Sequence, residues 1–314
     1  MAKTFSLRLL TIILCFFILC MTFAGCGSGS GSSSTEPPVY SPLQVLVPEA
    51  PGTQTLGASP LVLDVSNTDH GYLVAQSDSS DLKTSLQITA PDGILYSYFL
   101  EAGDEAVIPF TEGDGDYMIT GYQHVSGEQY AALYCETISV KLANPFLPFL
   151  YPNQYVNFSK DSKASKLALS MVSQDTKDLD ALKLIYDYVT ENLTYDYHKA
   201  DTVETGYLPD IDETLDTGTG ICFDYAALAT AMLRSCDIPC KLQIGYAGDI
   251  KHAWIDVYIR SKGWINSAMS FEGDSWSLMD PTFDSGSRSG SEEDKEAIQD
   301  YIGDADNYTV QFTR

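Results

Sequence analysis

The sequence predicts a multidomain chain in which an N-terminal all-β sandwich is followed by an α+β domain, and three observations carry that reading. Between about residues 42 and 142, seven short runs alternate apolar and polar residues and are separated by turn-forming residues, as in an antiparallel sandwich. From Lys163 onward the apolar period lengthens to that of helices before strands return. Between these regions, Asn144-Pro-Phe-Leu-Pro-Phe-Leu-Tyr-Pro152 sets three prolines among aromatics; it cannot be helical throughout, and its aromatics predict a packed joint rather than a loose linker. The expected segments are a leader at 1–25, a flexible stretch at 26–41, the sandwich at 42–142, the connector at 143–160 and the α+β domain at 161–314.

Lys3 and Arg8 precede an apolar run from Leu9 to Ala24, short for a bilayer span of about 20 residues and consistent with a signal peptide. The run ends in Phe23-Ala-Gly-Cys26, which resembles a bacterial lipobox; that resemblance implies lipidation of Cys26 and a membrane partner through the anchor. A Gly/Ser tether follows at once. The expected location is the extracellular face of the cytoplasmic membrane, in the cell envelope. An uncleaved anchor would leave the domains on the same side.

The chain has 43 acidic and 18 basic residues, a net charge of -25, which argues against a nucleic-acid partner because such binding depends on basic side chains. With 44% hydrophobic residues over 314 positions there is apolar material for two domains. Of seven cysteines, Cys135, Cys222, Cys236 and Cys240 remain beyond residue 26. Cys236 and Cys240 flank a helix stop and are either bridged or two buried free thiols. No Cys/His cluster has metal-ligand spacing, so neither a metal nor a cofactor is expected.

The predicted strands are Leu61–Val65, Gly71–Ala75, Leu86–Thr89, Leu95–Leu100, Ala106–Phe110, Gly115–Tyr122 and Tyr130–Leu142. Turn signals such as Pro91-Asp-Gly93 and Glu112-Gly-Asp-Gly115 separate them. Asp114 and Asp116 fall short of the ligand count of a calcium site and read as turn residues. His70 and His124 are expected at the surface. No reactive constellation appears here, so the region reads as a spacer or recognition module.

Helices are predicted over Lys163–Val172 and Lys177–Leu193, the second with Leu179, Leu182, Ile185, Tyr186, Val189 and Leu193 on one stripe, Thr176 as N-cap and Asp178 in the first turn. Gly218 and Gly220, free to take backbone angles barred to other residues, then lead into an alanine-rich helix. Cys222 falls in its first turn, where unpaired amides and the dipole favour a thiolate; the competing reading is an inert buried thiol. His252 opens a run with Ala253, Ile255, Val257 and Ile259 on one face and Trp254, Asp256 and Tyr258 on the other. Trp276 to Thr282 reads as another strand ending in the carboxylate of Asp280 before Pro281. A polar loop from Ser285 to Asp294, a short helix over Lys295–Ile302 and a last strand over Tyr308–Phe312 complete the expectation.

Gly-Ile-Cys222, Arg234-Ser-Cys-Asp-Ile-Pro239, Gly245-Tyr246, His252-Ala-Trp254 and Leu278-Met-Asp-Pro-Thr282 follow one another in an order that resembles the transglutaminase-like superfamily over about half the chain. Asp237 stands where that family usually has glycine, a substitution Asp tolerates because it visits the left-handed conformation. The resemblance implies a papain-like fold for the α+β domain and a Cys222–His252–Asp280 triad: nucleophile, general base and orienting carboxylate. It also implies an oxyanion donor upstream, for which Tyr195 is the candidate by position, with packing as its other reading. Trp254 is a candidate substrate-binding wall or an ordinary packed ring. His198 rivals His252 but sits in a polar turn; Asp224 and Asp256 rival Asp280.

The implied activity is acyl transfer through a thioester at peptide or carboxamide bonds, on a protein or peptide substrate such as a cell-wall peptide. Water as acceptor gives a peptidase or amidase; an amine gives cross-linking. Two other classes stay open: a non-catalytic envelope-binding lipoprotein on the same fold, and a structural lipoprotein whose β-domain carries the function.

Overall fold

A computed structural model of the chain describes residues 43–78, 83–265, 271–272, 275–276, 281–282, 285 and 305–314. The first strands are β1 (Thr55–Ala58), β2 (Leu61–Asp64), β3 (Tyr72–Ser77), β4 (Thr84–Thr89), β5 (Leu95–Leu100), β6 (Glu105–Pro109), β7 (Gly115–Ser126) and β8 (Gln129–Val140). They form two antiparallel four-stranded sheets, ordered β1-β2-β3-β6 and β5-β4-β7-β8. Alternation in the sequence has its physical counterpart here: Leu61, Leu63, Leu73, Ala75 and Ile108 of one sheet and Leu86, Ile88, Tyr98, Tyr117 and Ile119 of the other share one buried apolar cluster. No periodicity announces β1, four residues that include Gly57 at φ 72°; a Cβ there would lie 2.4 Å from the Tyr134 ring.

Asp114 accepts the Leu142 N–H (2.8 Å) and pairs with Lys141, while Asp116 accepts from Ser139 Oγ (2.5 Å), so both carboxylates pin strand ends. His70 and His124 are half-buried rather than exposed: His70 Nδ1 lies 3.3 Å from the Tyr151 hydroxyl, and His124 Nε2 lies 2.8 Å from Gly127 O.

The connector is packed, as its aromatics predict. A short 3-10 turn spans Leu147–Phe149, and Phe146, Leu147, Phe149, Leu150 and Tyr151 are buried. Phe146 meets Tyr258 in a tilted contact at 4.3 Å and Phe149 meets Trp264 edge-on at 5.3 Å.

Beyond it come α1 (Lys163–Met171), α2 (Asp178–Asn192), β9 (Thr194–Tyr195), α3 (Tyr197–Thr202), α4 (Ile211–Thr217), β10 (Thr219–Gly220), α5 (Cys222–Ser235), β11 (Cys240–Ala247), β12 (Ile250–Ile259), β13 (Gly263–Ile265), β14 (Phe271–Glu272), β15 (Ser275–Trp276) and β16 (Tyr308–Thr313). The N-cap of α2 is Lys177, not Thr176, whose hydroxyl instead accepts the Ser173 N–H (2.9 Å) and closes the preceding turn. An antiparallel sheet ordered β13-β12-β11-β16 carries α5 on one face. α5 is apolar nearly all round and buried from Asp224 to Ser235. Its Leu228, Met232 and Leu233 pack in one cluster with Ala253, Ile255 and Val257 of β12, and such side chains contribute roughly 1.5–3 kcal/mol each when fully buried. The helix stops at Asp237, which takes φ 59°, the left-handed conformation the sequence predicts there.

The expected strand from Trp276 to Thr282 is not continuous. Among the described residues there, Ser275–Trp276 is strand, paired with β14, and Pro281 and Thr282 have helical backbone. Asp280 lies outside the described residues, as do Cys26, the leader, the Gly/Ser tether and the predicted 295–302 helix. No helix among the described residues is long and apolar enough to cross a membrane.

All described residues belong to one compact unit, 36–314. Two arginines link its parts. Arg234 of α5 is buried and donates from Nε and Nη2 to Cys240 O (2.9 and 2.8 Å), from Nη1 to Tyr151 O (2.8 Å) and from Nη2 to Arg314 O (2.8 Å). The Arg314 guanidinium lies over Tyr96, Tyr98, Tyr155 and Phe312 at 4.3 to 5.3 Å and donates to Tyr98 Oη (3.2 Å).

Candidate active site

Three short elements, α4, β9 and β10, deliver Cys222 to the start of α5. Gly218 ends α4 in the left-handed conformation (φ 64°), its N–H donating to Thr214 O. β10 then pairs in parallel with β9, setting Gly220 beside Tyr195, and Asp196 N–H donates to Gly220 O (2.9 Å). Ile221 is extended, and α5 starts at Cys222. The Asp224 carboxylate turns back to accept the Ile221 N–H (2.8 Å), half of a capping box; Ile221 has no side-chain oxygen to supply the other half. Gly220 does not take a special backbone angle, contrary to the sequence reading. It is glycine because a Cβ there would stand 2.6 Å from Asp224 Cβ, where the cap folds over it.

Cys222 is half-buried at the first position of the helix, where backbone N–H groups have no intrahelical partners. Its neighbour Tyr195 is half-buried too. Burial, and after it the Cys222 thiolate charge, push the Tyr195 hydroxyl up to about 12, so it keeps its proton at neutral pH and can donate. The ring of Tyr195 meets that of Tyr197 edge-on at 5.0 Å, and Tyr197 is exposed. The other thiols differ. Cys236 and Cys240 are free and buried, burial pushing each up to about 12, which leaves them as small hydrophobes; Cys135 is free and exposed.

His252 stands on β12, buried, opposite Gly245 of β11. Its ring stacks on Trp254 (6.2 Å, interplanar 15°), and Tyr308 of β16 packs against both, at 6.4 Å from His252 and 5.1 Å from Trp254. A register shift between Ile244 and Gly245 brings β16 so close that a Cβ on Gly245 would lie 1.9 Å from Thr309 O. Trp254 is 1% exposed, so it offers no surface to a substrate here and serves as the platform under the His252 ring. That corrects its reading as a substrate wall.

The α5 helix that begins with Cys222 packs against β12, and Cys222 borders the same apolar cluster as Ala253, whose side chain alternates to the strand face opposite His252. Five residues beyond Asp280, Ser285 Oγ lies 3.2 Å from the Tyr225 hydroxyl of α5 and donates to Leu193 O (3.0 Å), the residue before β9. The rival residues have other partners or surroundings: Asp256 accepts from Gln243 Nε2 (2.7 Å), and His198 is exposed on α3. Asp224 is wholly buried and held by Lys199 Nζ (2.8 Å) and Tyr207 Oη (2.5 Å) besides its cap. Lys199 and Tyr207 escape sequence reading because they meet Asp224 across loops; no local spacing marks them.

Residues 165–269 match the family model of the transglutaminase-like superfamily, and the chain carries a transglutaminase-like domain over that stretch. The matched stretch includes Cys222 and His252 and ends before Asp280. Similar solved structures include a candidate cysteine protease from Cytophaga hutchinsonii (14% identity, TM-score 0.37, covering 83% of this chain and 84% of that one). Others are a candidate protease from Parabacteroides distasonis (12%, TM-score 0.29, 66% and 62%) and red sea bream transglutaminase (17%, TM-score 0.24, 67% and 48%). The chain thus spans less than two thirds of the latter two. No curated protein matches the sequence.

Proposed function

We propose that the chain is a surface-anchored cysteine acyl-transfer enzyme. In this reading Cys222 Sγ attacks a peptide or carboxamide carbonyl while His252 takes the thiol proton; the carbon–nitrogen bond then breaks as His252 returns that proton to the leaving nitrogen, and a thioester remains. Asp280 orients the imidazole and stabilises its charged form. The amide at the start of α5 and the Tyr195 hydroxyl stabilise the oxyanion. Water then gives an acid, and a primary amine gives a new amide. The observation that supports this most is a half-buried cysteine opening a buried helix beside a protonated tyrosine, inside a transglutaminase-like stretch. Residues 42–142 are a β-sandwich module set beside the 161–314 catalytic domain, and lipidated Cys26 tethers both to the outer face of the membrane.

The test is mass spectrometry of a peptide mixture incubated with the full chain, with and without a primary amine. Ammonia loss, amine gain or backbone cleavage that disappears in Cys222→Ala is the expected result. Identical spectra for the parent and Cys222→Ala would overturn the enzymatic reading and leave a binding protein on this fold.

A further inference from the structure

The reading of Cys222 as nucleophile leaves an unused charge cluster two residues away, and the following inference rests on that reading. Asp224 is fully buried, and a buried carboxylate is costly unless paired and hydrogen-bonded. Its partners come from three places: Ile221 N–H in its own turn (2.8 Å), Lys199 Nζ on α3 (2.8 Å) and Tyr207 Oη in the loop beyond α3 (2.5 Å). The ammonium also donates to the Tyr207 hydroxyl (2.7 Å) and lies 4.5 Å from that ring's centroid. Burial alone would lower the pKa of Lys199, but the Asp224 carboxylate and the Tyr207 hydroxyl outweigh it and raise it, so the ammonium stays charged at neutral pH.

The same turn of chain that carries Lys199 is tied to the oxyanion candidate. Asp196, next to Tyr195, accepts the Lys199 backbone N–H (2.8 Å) as the N-cap of α3. Tyr195-Asp196 and Gly220-Ile221 are therefore coupled twice, by the β9–β10 pairing and by the Lys199–Asp224 ion pair. The ion pair also has an electrostatic consequence. An ionised carboxylate in the same helix turn as a thiol works against the thiolate, and the Lys199 cation offsets the Asp224 charge. The titratable groups on the elements around Cys222 are Asp224, Tyr225 and Arg234 of α5, Tyr195 of β9, Tyr197, His198, Lys199 and Asp201 of α3 with its cap Asp196, Tyr207 beyond α3, Lys251, His252, Asp256 and Tyr258 of β12 and, outside the described residues, Asp280. Among them Lys199 is the cation whose ammonium is paired with Asp224.

We propose that Lys199 is a positioning residue for Cys222: clamped by Asp224 and Tyr207, its ammonium fixes the first turn of α5, cancels the Asp224 charge and so sets the pH at which Cys222 ionises.

The test follows the pH dependence of iodoacetamide labelling at Cys222 in the full chain, read peptide by peptide, with exposed Cys135 as the internal reference. In Lys199→Met the midpoint should rise by about one pH unit, slowing labelling roughly tenfold below it, and Lys199→Arg should stay near the parent. The double variant Lys199→Met with Asp224→Asn should return toward the parent, since the cap oxygen remains and no charge needs cancelling; a purely structural role would leave the double as perturbed as the single. An unshifted midpoint in Lys199→Met overturns the inference. If that variant does not fold, Tyr207→Phe is read the same way, a smaller upward shift being expected and no shift overturning. Labelling of parent Cys222 no faster than Cys135 would instead sink the nucleophile reading itself.

Discussion

Replacing Arg234 with methionine should be among the most damaging substitutions away from the site, although it puts an apolar side chain of similar length into a buried position. Burial lowers the guanidinium pKa from 12.5 to about 10, a penalty on the charged form of roughly 3 kcal/mol. Against it stand four charge-assisted contacts to Cys240 O, Tyr151 O and Arg314 O, each contributing about 1.5–3 kcal/mol. Methionine removes the penalty and all four contacts. Arg314 O keeps the Leu242 N–H (3.0 Å), so its loss is the mildest. Four contacts at that scale less the penalty leave about 3–9 kcal/mol, and with the mild loss at Arg314 O the lower part of that range, about 3–5 kcal/mol of lost stability, is expected. For a unit of this size that lowers Tm by about 10 °C. Thermal melts followed by circular dichroism, with urea midpoints as a second measure, test this. A drop in Tm below about 2 °C would refute the argument, for it would mean that the three carbonyls find other donors at no cost.

Gly220→Ala should cost about 1–2 kcal/mol, the worth of an N-cap, because the added Cβ displaces Asp224 from the Ile221 amide; an unchanged urea midpoint would show that the cap gives way freely. Alkaline stability should depend on the buried thiols. Unfolded cysteines ionise near pH 8.5 while Cys236 and Cys240 are held near 12, so their contribution is complete below about pH 8.5 and is lost as pH rises toward 12, at up to about 1.4 kcal/mol per pH unit for each. Changing both to alanine should flatten that slope in urea titrations, and an equal slope would exclude them as its source. Tyr195→Phe should lower kcat by about 10²-fold with little change in KM if the hydroxyl serves the oxyanion, the scale for one such donor; a parent-like kcat assigns the ring to packing.

Much of this was legible from residue order. The seven alternating runs of the β region recur as strands within a few residues of their predicted ends, since alternation reports which side chains face a core. The alanine-rich run after Gly220 forms a helix beginning at Cys222, and β16 returns at Tyr308 as its apolar pattern predicts. Local chemistry was misread where a residue's reason is not local. Gly220 looked like a flexible turn and is a gap left for Asp224; Thr176 looked like a cap and closes the preceding turn instead. Trp254 read as a wall or a packed ring, and its burial on β12 against Tyr308 of β16 makes it a support for His252.

By itself the sequence determined seven strands of the β region, the helices α1, α2 and α5, the motif set around Cys222 and His252 and the acidic balance, because propensity, periodicity and charge are properties of residues close together in the chain. Only the tertiary structure decided what Asp224 does, which cation it keeps, that Cys236 and Cys240 are free and inert, and that Arg234 and Arg314 fasten the β region to the helix behind the site. The pairings among these join residues from 3 to 216 positions apart. Their energy comes from burial and from satisfying buried polar groups, and both exist only once the chain has closed around them.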